Sequence, residues 1–113
     1  MTTLYGIKNC DTVKKARKYL DANNSSYLFH DFRVDGLELT KLQSWVDSVG
    51  WELLLNRRST SWRQLTEQQK SSINSESAIK LMMDNPTLIK RPVLESADEV
   101  LVGFKEASYL QVI

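Results

Sequence analysis

The stretch TTLYGIKNCDTVKKARKYLDANNSSYLFHDF, residues 2–32, decides the fold. Its first part, Thr2 to Ile7, is short, β-prone and broken around Gly6, which predicts a strand. Asn9, Cys10, Asp11 and Thr12 then supply helix-start chemistry. Val13, Ala16 and Leu20 follow at spacings of three and four, the apolar face of a helix, while Lys14, Lys15, Arg17 and Lys18 fill the other face. Asn23 and Asn24 end the helix, and Tyr27 to Phe32 reads as a second strand. A strand, a helix of about 11 residues and a strand make a βαβ unit, so the strands are expected to be parallel with a right-handed crossover. That crossover sets Cys10 at the C-terminal edge of the first strand, where open α/β sheets place their ligands.

Downstream of Gly36 the pattern turns helical. Thr40 with Gln43 fits a capping box, with Leu39 just ahead of it. Leu42, Trp45, Val46 and Val49 form a helical stripe, and Gly50 suits the C-terminal cap. Trp51 to Leu55 predicts another helical turn, Asn56 to Ser61 a polar, basic loop, and Thr66 with Gln69 a further helix start. Ser75 to Asp84 is expected to be helical with Ala78, Leu81 and Met82 inward, stopped by Asn85-Pro86. After Arg91-Pro92, Val93-Leu94, a short polar turn and Val100 to Val102 predict a β-hairpin, and Lys105 to Leu110 a closing helix. The expectation is one α/β domain over residues 1–113: βαβ and ββα halves in the thioredoxin arrangement, with a helical insertion over about 39–84.

Composition limits what this fold carries. The 113 residues suffice for one core, and 42% hydrophobic with 26% charged residues is ordinary for a folded globular chain. Fifteen Lys and Arg against fourteen Asp and Glu leave a formal charge of +1, no global pull toward nucleic acid or membrane. Any anion site is therefore local. The opening MTTLYGIKNC has no basic stretch followed by a long apolar one, so no signal peptide and a cytoplasmic location are expected, with no membrane span. One Cys and one His do not make a structural zinc site, and the four glycines form no nucleotide-cradling loop.

Cys10 carries the chemical reading. Its neighbours Lys8, Asn9, Asp11 and Thr12 are polar, which argues for a reactive thiol over a buried, core-filling one. A helix N-terminus offers unpaired N–H groups and about half a positive charge. With Cys10 at the N-cap, the amides of Thr12 and Val13 are expected to point at its sulfur, Thr12 adds a hydroxyl, and Lys14 and Lys8 add positive charge. These favour the thiolate; Asp11 opposes them. Val13 stands where a second cysteine of a Cys-x-x-Cys pair would be, so any adduct on Cys10 needs an outside thiol to resolve it. His30 lacks partners for a triad and reads as structural. The Ser59-Thr60-Ser61 run reads as loop and cap chemistry, and Trp45, Trp51 and Trp62 as packing.

Three stretches together, YGIKNCDTVKKARKYL (5–20), LLLNRRSTSWRQL (53–65) and NPTLIKRPVL (85–94), resemble the arsenate reductase (ArsC)-like family of thioredoxin-fold proteins, most closely its Spx/YffB branch. The resemblance implies a thioredoxin-like core with a helical insertion and makes Cys10 the catalytic thiol. It also implies oxyanion-binding arginines: the mid-chain one falls at Arg57 or Arg58, with Arg58 favoured, and another on Arg91. The third position falls on Lys105, and Gly6 stands where the arsenate reductases carry a histidine. Pro92 takes the place of the thioredoxin-fold cis-proline. Lys8, Thr12 and Lys14 complete the candidate anion site. The resemblance implies a glutathione-dependent thiol reductase with no bound cofactor or metal. Glutathione would be its co-substrate, or a glutaredoxin-like protein its reductant, acting on a small thiol or oxyanion. Arsenate reduction, or Spx-like regulation by binding RNA polymerase rather than nucleic acid directly, are the alternatives.

Overall fold

A computed structural model describes residues 2–97 and 99–113. The chain forms two compact units: the segment ending at Gly36 together with Arg91–Ile113, and Leu37–Lys90.

The first unit is built on a four-stranded sheet. Strand β1 (Thr2–Gly6) leads into helix α1 (Asp11–Ala22) and strand β2 (Tyr27–Asp31). β1 and β2 are parallel, with Gly6 abreast of Asp31. The second half supplies β3 (Val93–Ser96), β4 (Glu99–Val102) and a short helix near the end of the chain (Glu106–Leu110). β3 runs antiparallel to β1 and β4 antiparallel to β3, so the strand order is β2-β1-β3-β4. This is the expected thioredoxin-like assembly of a βαβ and a ββα half. Its core is Leu4, Ala16, Leu20, Leu94 and Tyr109, all essentially without solvent exposure. The spacing of Val13, Ala16 and Leu20 puts all three on the buried face of α1. Asp98, in the predicted polar turn of the hairpin, lies outside the described residues.

Strand two ends one residue earlier than expected. Asp31 caps a single helical turn, α2 (Phe32–Asp35), so Phe32 opens a helix instead of closing the strand. A carboxylate that accepts from the amide two residues on is a strong helix-start signal, and it outweighs the β character of Phe32. Gly36, at φ 76°, ends the turn.

The second unit is helical: α3 (Leu39–Val49), α4 (Trp51–Leu54), α5 (Thr60–Arg63), α6 (Glu67–Ser71), α7 (Ser75–Asp84) and a 3-10 turn (Pro86–Leu88). The short final helix of the first unit is accordingly α8. Trp45, Leu42, Leu54, Ala78, Met82, Leu88 and Ile89 are fully buried. Two bonds tie the segment after α4 to the one after α7: Asn56 N–H to Leu88 O and Lys90 N–H to Leu54 O, both 2.7 Å. The Thr66–Gln69 capping box forms, and Gly50 closes α3 at φ 88°. The Thr40–Gln43 box does not form. The helix begins two residues sooner with Glu38 at the N-cap, which leaves Thr40 inside the first turn. The polar loop is also shorter than expected, because Ser59 caps α5 by accepting from the Trp62 amide.

Candidate functional site

Register alone brings several chain segments to one edge of the sheet. Gly6 pairs with Asp31, Tyr5 with Val93, and Val93 with Val102. From this edge depart the turn Ile7–Cys10, the Arg91-Pro92 pair that enters β3, and Gly103–Lys105, which leads from β4 into α8. A parallel βα crossover and an antiparallel hairpin put these ends together without any long loop.

Cys10 is half-buried and is the N-cap residue of α1, with extended backbone (φ −108°, ψ 126°). Its amide donates to Ile7 O at 3.2 Å, closing a tight turn, and its carbonyl accepts from Lys14 N–H at 2.9 Å, the first bond of the helix. Its side chain makes no capping bond. The first-turn amides are therefore not used by the sulfur in this state, contrary to the expectation for Thr12 and Val13, and they stay available to an anion beside it. Thr12 and Lys14 are exposed on the first turn and a half of α1, and Lys8 is exposed in the turn before it.

The Arg91–Pro92 peptide bond is cis. Pro92 is buried and its carbonyl accepts the Gly103 amide at 2.8 Å. The Tyr109 hydroxyl, in α8, donates to Gly103 O at 3.0 Å. Burial pushes the Tyr109 phenol above its usual range. These two bonds brace the corner from behind. Arg91 itself is half-buried, and its Nε and Nη1 are shielded from solvent yet have no hydrogen-bond partner among the described residues. Orphaned, buried donors on a charged group are rare in folded chains, and an oxyanion or carboxylate is the ligand that matches two such donors of one guanidinium. Lys105 is exposed and is the N-cap of α8.

Arg58 belongs to the helical unit. It is exposed, and its backbone amide donates to Asn56 Oδ1 at 3.0 Å in the turn before α5. Its neighbour Arg57 lies over the Trp62 ring at 5.7 Å, a cation–π contact. Within the basic run of α1 the roles also divide. Arg17 lies 4.2 Å over the Phe29 ring and donates through Nε to Tyr27 Oη at 3.4 Å, so it packs against β2. Lys15 and Lys18 border a cleft with Tyr19, Phe104 and Glu106.

Two features escaped the sequence reading. Gly6 is buried, and a Cβ there would come within 2.7 Å of Val13 Cγ2. Asp31 sits 8% exposed and accepts the Lys8 amide at 3.1 Å. His30, read from the sequence as structural, bonds Gly36 O through Nε2 at 2.7 Å, and its ring lies tilted at 42° to that of Tyr5, 4.9 Å between centroids. The Asp31 cap had a visible signal, an Asp followed by a short run ending in Gly; the Gly6 approach had none, since it depends on where α1 packs. No helix among the described residues is long and apolar enough to cross a membrane.

A model of the ArsC family matches residues 5–112. The chain belongs to the ArsC family. Its relatives sit on both sides of the Spx/YffB branch. An uncharacterized protein of Haemophilus influenzae is 50% identical over 96% of each chain. A solved structure of a YffB protein superposes with a TM-score of 0.95 at 45% identity, covering 99% of this chain and 98% of that one. The global transcriptional regulator Spx of Streptococcus mutans is 27% identical, over 94% of this chain and 78% of its own length. The ArsC-family chain thus has the arsenate-reductase-like form of the thioredoxin fold.

Proposed function

We propose that this ArsC-family chain is a thiol reductase that works through one nucleophilic cysteine, Cys10, and is reset by an external thiol, glutathione or a glutaredoxin-like protein. The observation that carries the reading is Arg91, with two buried donors left unpaired at the sheet edge where Cys10 also lies. An anionic substrate would place its carboxylate or oxyanion on Arg91, supported by Lys8, Thr12, Lys14, Lys105 and the α1 N-terminus. Arg58, the mid-chain arginine expected at the anion, is carried by the helical unit. Arg91 precedes Pro92, whose position at the start of β3 would present backbone groups to the bound thiol partner.

In the first step the Cys10 thiolate attacks one sulfur of a disulfide. A bond forms from Sγ to that sulfur as the substrate S–S bond breaks, and the departing thiolate takes a proton from water. In the second, an external thiolate attacks the mixed disulfide and Cys10 is released as a thiolate. A second external thiol then completes the two-electron reduction, leaving the external pair as disulfide. With a single cysteine the chain has no internal group for this resolving step. A cytoplasmic setting, where thiol pools keep such a cysteine reduced, suits the cycle.

The test is reduction of a glutathione-linked disulfide by excess glutathione. Cys10→Ser should remove turnover. Arg91→Ala should lower kcat/KM by about 100-fold, and Arg91→Lys should not restore it, because an ammonium lacks the bidentate fork. Full activity of Cys10→Ser would end the reading. Arsenate is the competing substrate that Arg91 would also suit; an assay with glutathione and glutaredoxin separates the two. A regulatory reading, binding RNA polymerase without catalysis, draws on the similarity to Spx. Recovery of polymerase subunits on the chain, undiminished in Cys10→Ser, would favour it.

A further inference from the structure

We propose that Asp31 is the positioning residue of the cysteine turn: one carboxylate oxygen caps α2 and the other clamps the backbone of Lys8, fixing the turn that presents Cys10. The proposal rests on the preceding reading only in taking Cys10 as the reacting thiol.

Asp31 ends β2 directly beside Gly6, the last residue of β1. Among the described residues it is the one charged residue of the buried class, at 8% exposure. Its two oxygens have separate duties. Oδ1 accepts from Arg33 N–H at 2.8 Å, which caps α2; Oδ2 accepts from Lys8 N–H at 3.1 Å, across to the next strand connection. Its own amide donates to Asp35 Oδ2 at 3.1 Å, which steadies the carboxylate's base. Capping α2 needs a single acceptor, and a serine would suffice for it. The second oxygen therefore serves the turn and not its own element.

The turn from Ile7 to Cys10 is closed by the Cys10 amide to Ile7 O, at 3.2 Å, and by the Lys8 amide to Asp31 Oδ2, at 3.1 Å, while the Cys10 carbonyl accepts the Lys14 amide of the helix at 2.9 Å. Lys8 and Asn9 are both exposed, so no packing pins them. Without Asp31 Oδ2 the Lys8 amide turns to water, and the chain between β1 and α1 gains freedom just ahead of the reacting sulfur. A bond from a charged acceptor is stronger than a neutral one and fixes direction as well as distance.

Asp31→Ser separates the duties, because serine keeps a cap for Arg33 and is too short to reach Lys8. Amide hydrogen exchange followed by NMR, and the rate at which glutathione disulfide forms a mixed disulfide on Cys10, are the readouts. In the wild-type chain the Lys8 amide should be protected relative to Asn9. In Asp31→Ser the Lys8 protection should vanish while that of Leu4 in the central strand persists, and the mixed disulfide should form about tenfold more slowly. Asp31→Asn, which keeps one carbonyl oxygen, should fall between and serves if the serine variant does not fold. A Lys8 amide that exchanges as freely as Asn9 in the wild type, or an Asp31→Ser chain reacting at the wild-type rate, would overturn the clamp. A protected Lys8 beside an inert Cys10 would instead remove the thiol-reductase reading and leave the clamp standing.

Discussion

A methyl group on residue 6 would stand 2.7 Å from Val13 Cγ2, closer than any real carbon contact. Val13 is fully buried on α1 and cannot turn away without disturbing the helix that begins at Cys10. Gly6 and Val13 are therefore a matched pair, and Gly6 is glycine because of space, not backbone conformation. Gly6→Ala is expected to destabilise the fold by about 1–3 kcal/mol through overpacking. Val13→Ala alone should also destabilise it, by leaving a void, whereas the double variant should recover part of the loss. Chemical denaturation of the three variants measures the coupling; strict additivity would contradict it. The same contact bears on substrate. A histidine at position 6, as the arsenate reductases are implied to carry, has no room beside Val13. At this scale sequence was partly legible. The polar neighbours of Cys10 announced its place at a helix mouth. Gly6 read only as the end of a strand, because a close approach is made by tertiary packing that no local pattern encodes.

Elements were legible where periodicity and cap signals agreed. Val13, Ala16 and Leu20 defined the buried face of α1, and the Thr66–Gln69 and Gly50 caps formed as expected. Thr40 and Gln43 have capping-box spacing, but three residues apart is also ordinary spacing within a helix, and Glu38 begins α3 first. YLFHDF looked like one strand because its β-prone residues hide a cap at Asp31. The short α8 shows how an element far along the chain serves the site. Tyr109 bonds Gly103 O, and the Gly103 amide bonds Pro92 O, so α8 reaches the Arg91-Pro92 corner through two hydrogen bonds. Tyr109→Phe removes the first and leaves the Gly103 carbonyl short of a partner, which should cost about 1–2 kcal/mol. The pH dependence has a definite sign. Burial raises the folded-state phenol pKa above the unfolded value. The unfolded chain therefore loses this proton first, and the stability from Tyr109 is complete below about pH 10 and declines as pH rises above it. Denaturation midpoints above that pH should fall more steeply in the wild type than in Tyr109→Phe; equal slopes would contradict the assignment.

Across the whole molecule, the sheet unit carries Cys10, Arg91, Pro92 and Lys105, and the helical unit carries Arg58. Strand order and register suffice to gather the first group: a parallel crossover delivers the cysteine, and the reversal into β3 and β4 delivers Arg91 and Lys105. A chain of net charge +1 thus concentrates cationic groups and helix amides at one sheet edge. Most of the order of elements was readable from sequence through periodicity and through Gly and Pro breaks, but α2, hidden in YLFHDF, and α5, at the end of the expected polar loop, were not. Nor were the unpaired nitrogens of Arg91, since burial without a partner is a property of the assembled fold. The central claim is that Cys10 is a reacting thiol reset from outside the chain. Intact-mass analysis of the native protein after brief exposure to glutathione disulfide tests it most directly. The account expects one glutathionyl group, located on Cys10, formed more slowly in Arg91→Ala and removed by added glutathione. A native chain that takes up no glutathionyl group, and reacts only once unfolded, would contradict it.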